Sequence, residues 1–169
     1  MTPIQDDPYP EETEMPGMWF EEFEAGQEFK HPWSRTVSEM DNVLFTSITM
    51  NPAPIHLDAE YMATQPHGQR LMNSLYTAGL IGGMIVYDLT MGTTLGNLGY
   101  TKFDFPAPVF HGDTLRAEST IMDKRESRSR TDSGIVYFEH RGYNQRDEVV
   151  HVAHRAGLML KRPSSGADG

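Results

Sequence analysis

This chain carries seven histidines, 24 carboxylates and no cysteine, so proton transfer near neutral pH falls to imidazole and carboxylate. Thiolate nucleophiles, thiolate metal sites and disulfides are excluded. The densest group of chemically useful side chains is Asn51-Pro52-Ala53-Pro54-Ile55-His56-Leu57-Asp58. An imidazole that titrates near working pH can both take and return a proton, which makes His56 the first candidate acid/base. The bland alternative is a structural histidine capping a turn. Asp58, Asp41 and Glu39 are the carboxylates within short sequence reach. Asn51 is an amide and cannot be a base, but it can orient a water by donating and accepting hydrogen bonds.

A second group is Asn73-Ser74, at the start of the longest apolar stretch. A helix opening there leaves its first backbone amides without intrahelical partners, pointing at any negative charge that develops nearby. Ser74 reads equally as a simple helix cap. A third group, Lys124, Arg125, Arg128 and Arg130, is a basic cluster that suits a nucleotide phosphate as well as it suits a solvated hairpin. His111, His140, His151 and His154 lack regular metal spacing and read as strand residues, so no metal is expected. No Gly-Lys-Ser/Thr follows Thr93, Gly96, Asn97 and Gly99, and no Gly-x-Ser-x-Gly elbow is present.

The elements that must position these groups follow from periodicity. A strand is expected over 28–37. Ser38-Glu39-Met40-Asp41 pairs a side-chain acceptor with a carboxylate three residues on, a capping pair that opens a helix. That helix carries Met40, Leu44 and Ile48 on one face and must stop by Asn51, before Pro52 and Pro54. Asp58 to Ala63 makes a short helical turn. Residues 73–89 are apolar on nearly every face, the pattern of a buried central helix wrapped by sheet. Beyond Thr93 the period changes to two, with strands near 94–104, 114–124, 133–143 and 148–160 arranged as an antiparallel meander. In the last strand Val150, Val152, His154, Ala156, Leu158 and Leu160 share one face. One long helix plus a curved antiparallel sheet is an α+β fold.

At 169 residues with 38 % hydrophobic side chains, one domain over 18–162 is expected, between an acidic Pro-rich tail at 1–17 and a short tail at 163–169. No apolar run reaches the roughly 18 residues of a membrane span, so a cytoplasmic protein is expected. The net charge of -10 gives no basic nucleic-acid footprint.

The segment Asn51 to Asp58 resembles the Asp-x-Asn-Pro-x-His-x-Asp signature of MaoC-like (R)-specific enoyl-CoA hydratases. Two further segments agree. Pro108-Val109-Phe110-His111-Gly112-Asp113-Thr114-Leu115 resembles the family's Pro-Val-x-x-Gly-Asp-Thr-Leu, and Asn144-Gln145 opens the last hairpin. With Met50 to Asp58 and Leu71-Met72-Asn73-Ser74-Leu75, the chain looks most similar to mesaconyl-CoA (2-methylfumaryl-CoA) hydratases. The resemblance implies a hot-dog fold, a homodimer or higher homo-oligomer, and a coenzyme A thioester as substrate with no separate cofactor. It further implies His56, Asn51 and Ser74 as catalytic groups and Asn73, Asp58, Arg125 and Arg128 as substrate contacts. Two positions depart from the signature: Asn51 stands where the family has its catalytic Asp, and Ala53 replaces its Asn. The expected activity is hydration of a short branched or dicarboxylic enoyl-CoA. A hot-dog acyl-CoA thioesterase and a non-catalytic acyl-CoA-binding subunit are the alternatives.

Overall fold

The computed structural model describes residues 16–163; most of both expected tails, residues 1–15 and 164–169, lies outside the described residues. The chain runs through a 3-10 turn at Phe20–Glu22, strand β1 (Glu28–Thr36), helix α1 (Glu39–Ile48), and the short helices α2 (Pro54–Leu57) and α3 (Ala59–Ala63). Helices α4 (Ser74–Met84) and α5 (Val86–Leu89) follow, and then strands β2 (Thr94–Asp104), β3 (Thr114–Glu126), β4 (Ser133–Tyr143) and β5 (Val149–Leu160). The strands form one antiparallel sheet in the order β1-β3-β4-β5-β2. Strands β3, β4 and β5 make the expected meander, but β2 does not precede β3 in it; it lies on the far edge against β5. Helix α4 crosses one face and touches β1, β3, β4 and β5. This is the α+β hot-dog arrangement.

Helix α1 begins as its residues predict. The Ser38 hydroxyl accepts from the Asp41 amide at 3.2 Å, and the Asp41 carboxylate accepts from the Ser38 amide at 2.8 Å, a reciprocal capping box. The helix ends by turning Met50 into the left-handed region at φ 55°. The Met50 and Asn51 amides then donate to Ser47 and Thr46 carbonyls, both at 3.0 Å, the double bond of a Schellman cap. A residue with a Cβ pays strain there that glycine would avoid.

Two expectations about faces are corrected, and the structure orients a third. Met40, Leu44 and Ile48 do share a face of α1, but that face points outward, and the buried positions are Asn42 and Thr46. The stretch 73–89 is not one fully buried helix. It breaks at Ile85 into α4 and α5, burying Thr77, Ile81, Met84 and Leu89 while Leu75, Val86 and Tyr87 stay exposed. In β5 Val150 does not share the face of Val152, His154, Ala156, Leu158 and Leu160, although Val152 is buried as well. The register with β4 shifts at the Gly142/Tyr143 step, where Tyr143 pairs with Val149 and Gly142 with His151. This one-residue bulge turns Val150 inward and leaves odd-numbered Ala153, Gly157 and Met159 buried, because one extra residue inverts the alternation.

The core lies between α4 and the sheet. Phe23 and Phe138 meet edge to face at 5.6 Å, among Leu115, Ile121, Val136, Val150 and Met159. Close approach of α4 depends on Gly142, where a Cβ would stand 2.7 Å from Ile81.

Candidate functional site

Pro52 and Pro54 stop α1 and start α2, which places His56 in its last turn, 8 % exposed. The His56 Nδ1 lies 2.9 Å from the Leu71 carbonyl. A carbonyl can only accept, so Nδ1 carries the proton, and neutral imidazole then presents a lone pair at Nε2. The bond fixes both the tautomer and the ring plane, as a base requires.

The residue that joins this histidine to the α4 terminus is Asn42, fully buried on the inner face of α1. Its Nδ2 lies 3.0 Å from the His56 carbonyl, 3.0 Å from the Leu71 carbonyl and 3.1 Å from His111 Nε2. Its Oδ1 accepts from the Asn73 amide at 2.8 Å. Thr46, one turn on, receives Asn73 Nδ2 at 3.4 Å. One polar stripe on α1 therefore positions His56, the strand-like segment at Leu71 and the first turn of α4 together. Residue type alone did not single Asn42 out; the i, i+4 recurrence of Ser38, Asn42 and Thr46 opposite the apolar stripe was the signal available.

At the α4 terminus Asn73, not Ser74, is the cap. Its side chain accepts from the Leu75 amide at 3.1 Å, and Ser74 is the exposed first helical residue. Asn73 is thus buried in structural bonds, rather than free for substrate. Among the described residues the Ser74 and Tyr76 amides have no acceptor, so the oxyanion donor expected here is the helix backbone.

Asn51 keeps only half its expected hydrogen-bonding capacity. Its Oδ1 accepts from the Ala53 amide at 3.0 Å, an Asx turn that consumes the acceptor and leaves only Nδ2 to donate. The nearby carboxylates do not replace the missing Asp. Asp58 caps α3, accepting from the Tyr61 amide at 2.9 Å. Partial burial raises the Asp41 pKa, but bonds from the Ser38 amide and hydroxyl outweigh it and hold the carboxyl below its usual range. Glu39 is held low by its hydrogen bond and ion pair with Arg70. Tyr76 is pushed up to about 12 by burial and by the neighbouring Asp41 charge. His111 is held below the usual imidazole range by burial and by the Arg70 charge.

The basic cluster does not converge on this site. The α4 terminus is tied to the segment before β3, through the Met72 amide and the Val109 carbonyl at 2.9 Å and a bridge between Leu71 and Phe110. Arg125 stands near the other end of β3, roughly 30 Å along the strand, bonded to the Tyr137 hydroxyl at 3.0 Å. Arg128 lies beyond it in the exposed β3–β4 connection. Lys124 binds the Phe20 and Glu21 carbonyls, and Arg130 forks onto Asp132. Among the described residues no group of three or more His, Asp or Glu is placed to hold a metal ion, and no helix is long and apolar enough to cross a membrane.

Residues 21–144 match the MaoC like domain family. The chain is 32 % identical over 147 residues to the beta-methylmalyl-CoA dehydratase of Chloroflexus aurantiacus, covering 87 % of this chain and 41 % of that protein. It is 31 % identical over 149 residues to the mesaconyl-CoA hydratase of Cereibacter sphaeroides, covering 88 % of this chain and 43 % of that protein. A solved MaoC domain dehydratase from Chloroflexus aurantiacus superposes with a TM-score of 0.83 at 30 % identity, over 90 % of this chain and 43 % of the other. The chain thus spans less than half the length of these relatives.

Proposed function

The chain belongs to the MaoC-like domain family, and from that premise we propose that it hydrates an enoyl-CoA thioester to the 3-hydroxyacyl-CoA and runs the reverse dehydration. The observation that carries this reading is the His56 tautomer: Nδ1–H is spent on Leu71, which leaves Nε2 a lone pair, and the same Asn42 that holds the His56 carbonyl holds the start of α4, whose first amides are unpartnered. Nε2 takes a proton from water as its oxygen attacks Cβ. The displaced π electrons move through Cα onto the thioester oxygen, which the Ser74 and Tyr76 amides receive as an enolate. The imidazolium returns its proton to Cα, so one water is added and His56 ends as it began. Asn51 Nδ2 holds the attacking water by its oxygen. Names of relatives that act on mesaconyl-CoA and beta-methylmalyl-CoA support a short branched dicarboxylic acyl group.

A second hot-dog unit, supplied by another copy, would cover the exposed Leu75 of α4, Val86 and Tyr87 of α5, and the edge strand β2, where Leu95, Leu98 and Tyr100 are exposed. Relatives of about twice the length support such pairing.

The test is incubation with mesaconyl-CoA and, in parallel, crotonyl-CoA, following enoyl-thioester absorbance and product mass. Gain of one water, lost in His56→Ala, supports the reading. Release of free CoA thiol replaces it with thioester hydrolysis. Saturable binding without turnover replaces it with an acyl-CoA-binding subunit, the reading that Asn51 in place of Asp favours.

A further inference from the structure

Beneath α4, on the flank toward β2, three cationic or imidazole side chains meet a small cavity that the chemistry above does not use. The cavity has a volume of about 30 Å³ and is lined by Ala78, Ile81, Gly82 and Ile85 of the helix region and by His140, His151 and Arg155 of the sheet. That is room for one or two water-sized groups, the size of a carboxylate. Arg155 pairs with Phe138 across the sheet, and its guanidinium lies 4.9 Å from that ring's centre. Its Nε and Nη2 are shut away from solvent with no hydrogen-bond partner among the described residues. His140, 3 % exposed, stacks on the same ring at 5.3 Å, and its Nε2 is equally without a partner. Arg155 as a whole is half-buried; its guanidinium stays charged, and leaving two of its donors enclosed and unpartnered costs free energy.

Behind His140 runs a chain of hydrogen bonds. Nδ1 lies 2.7 Å from Ser119 Oγ, which lies 2.8 Å from His31 Nε2, and His31 Nδ1 lies 2.8 Å from Asp88. Burial, then the charges of Arg155, His31 and His151, hold His140 well below the usual imidazole range. It is therefore neutral, with one ring nitrogen bearing the proton, and the direction of the Ser119 hydroxyl sets which one. With Ser119 donating to Nδ1, Nε2–H is left to donate into the cavity. Ser119 Oγ is then free to accept from His31 Nε2.

We propose that this cavity binds the free carboxylate of a dicarboxylic acyl thioester, Arg155 and His140 Nε2–H donating to it. The proposal rests on the thioester reading above and specifies its substrate class. With the ligand in place, the Arg155 guanidinium has an anion beside its two unpartnered nitrogens. The reach is consistent: Ala78, the nearest wall, is one helical turn from Ser74, about 6 Å along α4, so a short acyl chain can rest its thioester oxygen on the helix terminus and its far end in the cavity. A monocarboxylic acyl group leaves both donors orphaned.

The test uses the full chain and two saturated thioesters that cannot be hydrated, succinyl-CoA and butyryl-CoA, titrated calorimetrically. The parent is expected to bind succinyl-CoA about 100-fold more tightly, the order of a charge-assisted bond to a buried partner. Arg155→Met is expected to erase that preference, and His140→Phe to cut it about tenfold. Because Arg155→Met removes two enclosed donors that have no partner, its Tm without ligand is expected to hold or rise. Equal affinity for the two thioesters in the parent, or a proportional loss for both in Arg155→Met, overturns the proposal. A Tm several degrees lower, or a shift to monomer, overturns it too, since Arg155 would then be serving the fold or a second copy. A kept succinyl preference without hydration of any enoyl-CoA sinks the hydratase reading alone. Crotonyl-CoA hydration without carboxylate discrimination sinks this one alone, and failure to bind either thioester sinks both.

Discussion

Asn42→Ala tests whether α1 exists to position the site. The substitution removes the acceptor of the Asn73 amide and the donor to two carbonyls, His56 and Leu71, at 2.8 to 3.0 Å in a fully buried setting. The orphaned amide costs about 1–3 kcal/mol and each carbonyl contact about 1 kcal/mol, with Leu71 keeping its bond from His56. The expected loss is about 3–5 kcal/mol, which for a domain of this size lowers Tm by roughly 10 °C. Asn42→Asp sharpens the argument: it keeps the acceptor for Asn73 but turns an oxygen toward the two carbonyls. At pH 7 it is expected to be worse than Ala. Its carboxyl, raised in the fold above its unfolded value, should regain stability as pH falls and the acid form supplies a donor. Calorimetry of the three proteins at pH 7 and pH 5 measures this. A Tm within about 2 °C of the parent for Asn42→Ala, or an Asp variant that behaves like Asn at pH 7, refutes the reasoning.

His56→Ala is expected to lower kcat for hydration by about 10²–10⁴, the usual share of a general acid/base, with Tm little changed; initial rates with mesaconyl-CoA decide it. Met50→Gly relieves a left-handed residue with a Cβ and should stabilise by about 1 kcal/mol, read as a shifted urea midpoint. Gly142→Ala drives a Cβ to 2.7 Å from Ile81 and should cost about 1–3 kcal/mol in the same assay. His111, His140 and His151 are all held below the ordinary imidazole value of 6.5. The unfolded chain therefore binds more protons below that pH, and stability is full above about pH 6.5 and lost as pH falls toward the folded values. Tm should drop between pH 7 and pH 5, and His140→Phe should flatten part of that slope.

What was legible in the chain was whatever a local window encodes. Strands over 94–104 and 133–143 and the capping box at Ser38 came from period and from short-range bonding rules, and the structure holds all three. The inverted face of α1 could not be read that way. A stripe of Met40, Leu44 and Ile48 normally marks the buried side, but the inner side here must satisfy carbonyls and an amide that lie 14 to 31 residues away in sequence. Burial of Asn42 and Thr46 is a tertiary demand, and local hydropathy carries no trace of it. The same holds for β5, where a single bulge at Val150 exchanges the two faces, so the half-buried Arg155 stands opposite Phe138 on the core-facing side of the sheet.

His140 was closer to legible. It follows Val136 and Phe138 at the spacing of one strand face, and those two are core residues; parity alone placed an imidazole in the interior. Treating it as an ordinary strand residue lost the question that placement raises, which is where its second nitrogen finds a partner. In a chain whose signature Asp is an Asn, the sequence motif points to the reacting end of the ligand, while the unpaired donors of His140 and Arg155 point to the other end. If both readings hold, specificity here resides in strand residues that no local motif marks. Exchanging Arg155 should then change which thioester is chosen, and exchanging His56 should change how fast it reacts.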